Sequence, residues 1–287
     1  MGMCFGVRNA IAMAKTASLK GPVTILGELV HNETVLDDLG KHGIGIADSA
    51  SEVTTGFAMI TAHGASRAAI AAAMSKGLKV SETTCPLVKA AHRAVEALVR
   101  AGCHPVIIGR KDHVEVRGIT EDLREFDVVL TEADVMDLRP RERFGVAAQT
   151  TQPIERVRHL AGLIRRRFPE SEVRFVDTVC QPTKQRQNAA MELASRVDTV
   201  IVIGGLHSNN TRELAMTCTA VCPRVYQVEN AAQIRPEWLA GAEVVGLTAG
   251  TSTPDDIVSA VEQRLGELAQ IFAEPPAPGA MVLQTTG

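Results

Sequence analysis

The chain has 287 residues, 45% hydrophobic and 22% charged, which is enough apolar material to bury a sizeable core. A formal net charge of −3, with no Lys/Arg cluster interleaved with aromatics, argues against nucleic-acid binding. No uninterrupted apolar run reaches the length of a membrane span and no leader-like succession opens the chain, so a cytoplasmic protein is expected, its six cysteines thiols or metal ligands rather than disulfides.

In chain order, Val7 to Leu19 suits a helix, Val23–Leu26 reads as a strand, 34–39 as a helix, 43–47 and 57–63 as strands, and the Ala-rich 66–74 as a helix. The run 78–85 reads as a strand that delivers Cys85. The order then recurs: helix 87–100, strands 105–109, 126–130 and 144–148, helix 153–167, and a strand over 173–180 that delivers Cys180. A third round gives helix 183–195, strands 199–204, 224–228 and 243–248, and helix 254–270, after which the Pro/Gly-rich end reads as a loose tail.

Cys4, Cys85 and Cys180 each stand at the front edge of such a helix, 81 and then 95 residues apart. A histidine follows each of them in step: His31 after 27 residues, His113 after 28 and His207 after 27. A further polar loop also recurs, at 61–66, 147–152 and 248–253. Three copies of one αβ unit explain all of this. The predicted fold class is therefore α/β, with three pseudo-symmetric αβα units and small, mainly parallel sheets. The units are expected at 1–85, with the Cys4 loop packing against the third unit, at 86–176 and at 177–272, leaving 273–287 as a flexible tail. Strands precede Cys85 and Cys180 but not Cys4, so symmetry calls for a further strand before Cys4, lost through a misplaced start or a truncation.

In open α/β units ligands collect where strand ends meet helix N-termini, and every polar loop above lies at such a junction. Cysteines there are expected as stabilised thiolates, ready for a soft metal. Three thiolates from distant positions suit a catalytic zinc with one open position, or a 4Fe-4S cluster with one iron free of cysteine; three buried thiols at equivalent packing positions are the plainer alternative. Zinc sites commonly include a close ligand pair, which is missing here. Cys103, Cys218 and Cys222 fall outside the repeat and read as structural, the Cys218/Cys222 spacing lacking a second pair. His31, His63, Thr150, Thr151, Ser208, Asn210, Thr211 and Ser252 supply the imidazoles, hydroxyls and amides that a phosphate or diphosphate needs, without a Walker loop. Glu115 is either a general acid held out of water or a solvated loop carboxylate.

The stretches CFGV at 4–7, VHN at 30–32, AHG at 62–64, TCPLV at 84–88, HVEVRG at 113–118, QTT at 149–151, DTVCQPTKQRQ at 177–187, SNNT at 208–211 and TAGTSTP at 248–254 together resemble the LytB/IspH family of 4-hydroxy-3-methylbut-2-enyl diphosphate reductases. The resemblance implies a three-lobed protein around one 4Fe-4S cluster per chain, held by Cys4, Cys85 and Cys180 with one iron not ligated by cysteine. It implies that His31, His63, His113, Ser208, Asn210 and Ser252, with the divergent Asn209 beside them, hold an allylic diphosphate, while Glu115 and Thr150 serve its hydroxyl group. The implied reaction is a two-electron, two-proton reductive dehydroxylation giving isopentenyl and dimethylallyl diphosphates, with ferredoxin or flavodoxin as electron donor. Val114, Arg117, Asn209 and Glu213 depart from the usual Pro, acidic residue, Ser or Gly, and Arg. Arg212 is expected to stand in for that arginine and His207 to add a donor. These departures leave a paralogue that keeps the cluster, and acts on or senses a different diphosphate or small anion, as the alternative.

Overall fold

The computed structural model describes residues 2–27, 29–30 and 32–273. Its strands form three separate parallel sheets. The first holds β1 (Val23–Leu26), β2 (Ile44–Ala47), β3 (Phe57–Ile60) and β4 (Lys79–Glu82), in the order β2-β1-β3-β4. The second holds β5 (His104–Ile108), β6 (Asp127–Val129), β7 (Arg143–Ala148) and β8 (Glu172–Phe175), in the order β6-β5-β7-β8. The third, β9 (Thr199–Ile203), β10 (Val225–Val228) and β11 (Val245–Ala249), runs β10-β9-β11. The three orders superimpose, except that among the described residues the third sheet has nothing beyond β11.

Strand alternation decides which helix each face receives. In the second sheet Val106, Ile108, Val146 and Ala148 pack with Val157, Leu160 and Ile164 of α7 (Ile154–Arg167). Ile107 and Ala147, pointing the other way, meet Ala91, Val95 and Leu98 of α4 (Pro86–Arg100). The third sheet repeats the division. Ile201 and Ile203 face Val261 and Leu268 of α10 (Asp255–Ala273), whereas Val200 and Val202 face Ala190 and Ala194 of α8 (Gln181–Ala194). In the first, Val23, Ile25 and Met59 pack on Ala10 and Ala14 of α1 (Phe5–Ser18). Strands covered on both faces become continuous apolar runs, and 199–203 is buried at every position.

Most expected elements are present within a few residues: α2 (Glu33–Lys41) and α3 (Arg67–Ser75) complete the first round. Among the described residues three α-helices stand where no helix is expected from the sequence: α5 (Val114–Thr120), α6 (Glu132–Met136) and α9 (Asn209–Thr219). α5 is short and carries Gly118, and α9 opens with Asn-Asn-Thr-Arg, so local propensity is poor in both. Burial of Val116 and Ile119 in α5 and of Leu214 and Cys218 in α9 supplies what propensity lacks. Cys103, Cys218 and Cys222 are buried free thiols, and burial pushes Cys218 up to about 11. No helix among the described residues is long and apolar enough to cross a membrane. The tail from 274 to 287 and His31 lie outside the described residues.

Candidate active site

Cys4, Cys85 and Cys180 are the N-cap residues of α1, α4 and α8, Cys4 and Cys180 in extended backbone and none capping with its own side chain. Their N–H groups donate to equivalent carbonyls, Cys4 to Thr251 at 2.9 Å, Cys85 to Ala62 at 3.0 Å and Cys180 to Thr150 at 2.9 Å. The sulfurs are therefore free to turn inward. Gly6 marks how closely two of them meet: a Cβ there would lie 2.6 Å from the Cys85 sulfur and 4.0 Å from that of Cys4. Arg186 of α8 ties the Cys4 loop to the third sheet, donating to the carbonyls of Gly2 at 2.8 Å and Ala249 at 2.6 Å. Within the motif at 177–187 nothing marks this arginine, because its partners are backbone atoms from distant segments, which leave no local signal.

Burial works against the expected thiolates at two of the three positions. It pushes the thiols of Cys85 and Cys180 up, outweighing backbone N–H groups at both and the Thr183 hydroxyl 3.0 Å from the Cys180 sulfur. Metal binding would have to displace those protons. Among the described residues no three His, Cys, Asp or Glu side chains stand close enough to share one metal ion. Three soft donors brought in by three helix starts fit a group that presents a separate metal atom to each thiolate, as an iron-sulfur cluster does.

The histidine repeat also needs correcting. His113 caps α5, its Nδ1 accepting from Glu115 N–H at 3.1 Å, so its proton sits on Nε2. The equivalent caps are Asn32 for α2 and Ser208 for α9, each 28 residues after its cysteine, as His113 is. His207 lies one position before the cap and points to solvent. The carbonyl register likewise aligns His63, Thr151 and Ser252, each following the residue that receives a cysteine N–H.

These positions converge on a cavity of about 40 Å³ lined by Val7, Val30, His63, His113, Thr151, Ser208, Asn209, Asn210, Thr251 and Ser252. The His63 and His113 rings meet edge to face at 5.6 Å. Asn209 Nδ2 donates to the Thr151 hydroxyl at 3.2 Å, whereas Asn209 Oδ1, Asn210 Nδ2 and Ser252 Oγ are buried without a partner. Each such group costs roughly 1–3 kcal/mol until a ligand bonds it. A water molecule takes about 30 Å³, so a larger ligand needs these loops to part. Thr211 turns its hydroxyl away, toward the backbone of Gly204 and Gly250. A groove of about 730 Å³ beside α1, lined by Met13, Phe57, Met59 and Lys79 among others, shares no residue with this pocket.

Glu115 is 1% exposed, so the solvated-loop reading fails. Its Oε1 accepts from Thr150 N–H at 2.6 Å and its Oε2 from the Thr150 hydroxyl at 2.9 Å. Burial pushes the carboxyl from 4.5 up to about 7, against the pull of both bonds. The acid thus stands behind the pocket wall formed by His113 and Thr151, poised between its two protonation states near neutrality. Among the departures, Arg117 pairs with Glu121 at 3.4 Å on an exposed face. Glu213 is buried and takes its cation from Arg156 of α7 at 2.7 Å, while Arg212 points to solvent. The expected substitution by Arg212 therefore does not occur.

The model of the LytB protein family matches residues 1–266. The 4-hydroxy-3-methylbut-2-enyl diphosphate reductase of Trichlorobacter lovleyi is 39% identical over 269 residues, 93% of this chain and 95% of that protein. The same-named enzyme of Aquifex aeolicus is 37% identical, over 94% of each chain. Among solved structures, the E-1-hydroxy-2-methyl-but-2-enyl-4-diphosphate reductase of Plasmodium falciparum superimposes with a TM-score of 0.86 at 25% identity, covering 96% of this chain and 86% of that one. A second, described as the terminal enzyme of the non-mevalonate pathway, is 38% identical with a TM-score of 0.67, covering 93% of this chain and 96% of that one. With the family model spanning nearly the whole described fold, this chain belongs to the LytB family.

Proposed function

We propose that this chain is a 4-hydroxy-3-methylbut-2-enyl diphosphate reductase, converting that allylic diphosphate by two electrons and two protons to isopentenyl and dimethylallyl diphosphates with loss of water. The observation that carries this reading is Glu115, fully buried and bonded through both oxygens to Thr150 behind a pocket whose other wall holds unpaired polar groups.

Cys4, Cys85 and Cys180 would hold a 4Fe-4S cluster, one per chain. When bound, the cluster supplies the electrons and an open Lewis-acidic position. His63, His113, Ser208, Asn209, Asn210 and Ser252, with His31 from outside the described residues, bind the diphosphate. His113 offers Nε2–H, and Asn210 Nδ2 and Ser252 Oγ offer donors that nothing else uses. Anchoring that end orients the hydroxyl toward Thr150 and Glu115. The neutral Glu115 carboxyl donates the proton with which the hydroxyl departs as water, and Thr150 holds the resulting carboxylate through its N–H and hydroxyl. Closure around so small a cavity keeps bulk water from the acid. Ferredoxin or flavodoxin is the electron donor in this reading.

Anaerobic reconstitution, followed by iron analysis and assay with the hydroxymethylbutenyl diphosphate and a chemical reductant, tests it. About four irons per chain and formation of both products are expected; no turnover in a fully loaded sample would end the reading.

A further inference from the structure

Arg156 lies in the first turn of α7, just after the 149–152 loop, and Glu213 lies one turn along α9 from Asn209. Arg156 Nη1 donates to Glu213 Oε1 at 2.7 Å and to Gln152 Oε1 at 3.0 Å. The Glu213 side chain is 7% exposed, and its Oε2 is buried without a partner. From Gln152 the bonds continue: Gln152 Nε2 donates to Gln149 Oε1 at 3.1 Å, and Gln149 Nε2 to the Thr151 hydroxyl at 3.0 Å. That hydroxyl also accepts from Asn209 at 3.2 Å, which returns the chain of contacts to α9. The ring so closed joins the loop that carries Thr150 to the helix head that carries Ser208, Asn209 and Asn210.

We propose that Arg156 and Glu213 are a positioning pair, fixing the register between the 149–152 loop and the head of α9 and so the distance from the diphosphate donors to Thr150 and Glu115. The inference rests on the function proposed above. Neither side chain lines the pocket. Their charges oppose each other across two elements that otherwise meet through single neutral bonds. Removing the arginine leaves a buried carboxylate unpaired close to an anion site, and removing the carboxylate frees the guanidinium from α9. In both cases one tie is lost, so the two changes are not independent.

The test compares Arg156→Gln, Glu213→Gln and the double variant of the full chain, titrated with inorganic diphosphate, with melting temperatures and the pH profile of turnover measured alongside. Each single change is expected to weaken diphosphate about tenfold, the double no more than the worse single, with the turnover inflection near 7 unmoved. Effects that multiply to about a hundredfold in the double, tighter binding in Glu213→Gln, or unchanged affinity in all three would each overturn the pair. Should Arg156→Gln fail to fold, Arg156→Lys replaces it, keeping the charge and expected to retain most of the affinity. An unaltered protein that binds no diphosphate defeats the proposed function itself; a normal unaltered protein with indifferent variants defeats only the positioning pair.

Discussion

On one side of the pocket both oxygens of Glu115 are taken by Thr150, whereas on the other Asn210 Nδ2 and Ser252 Oγ are buried with no bond at all. The first side is complete in the folded chain and fixes the carboxyl in one place. The second carries a cost that a ligand removes. A wall finished in advance serves the chemical step, because its geometry is ready when charge develops. An unfinished wall serves binding, because its donors gain only when an anion arrives. The difference therefore separates the residues into those that should act on turnover and those that should act on affinity.

Glu115→Gln attacks the finished wall and has the largest expected effect: turnover falls by about a hundredfold or more, with diphosphate affinity within about threefold. Steady-state kinetics and titration calorimetry measure the two, and parallel losses would erase the distinction. The same residue marks the stability of the metal-free protein. Because the carboxyl is raised from 4.5 to about 7 in the fold, the folded chain binds the extra proton between those values. Stability is thus greatest below the unfolded value and is lost as pH rises through about 7, by about 3 kcal/mol in all. Melting curves at pH 5 and pH 8 should show that loss in the unaltered protein and much less of it in Glu115→Gln.

The unfinished wall is probed by ligand and by deletion. Inorganic diphosphate at a hundred times its Kd should stabilise the fold by about 2.7 kcal/mol, visible as a rise in melting temperature. Ser252→Ala removes a buried hydroxyl that the ligand-free chain does not use, so diphosphate should bind about tenfold more weakly while the ligand-free melting temperature holds or rises. A drop in stability equal to the drop in affinity would show that the hydroxyl is already satisfied, and the two walls would then be alike.

Much of this arrangement was legible in the residues alone. Cysteine at a helix start and a polar loop after each strand are signals contained within a few positions, and repetition three times over raised them above chance. The α/β class, the parallel sheets and the junctions where the site forms followed from that. What needed the tertiary structure was whatever depends on partners far apart in sequence. The histidine spacing pointed to His31, His113 and His207, but the backbone register aligns Asn32, His113 and Ser208, since a cap is defined by its bonds and not by its residue type. Cys85 and Cys180 stand at helix starts as expected, yet desolvation by the surrounding units pushes their thiols up. Glu115 meets Thr150 across 35 residues and Arg156 meets Glu213 across 57. Local sequence specifies which segments turn, cap and alternate; the compensation of a buried charge is settled only when distant segments pack, because the low-dielectric interior that makes the partner necessary does not exist until then.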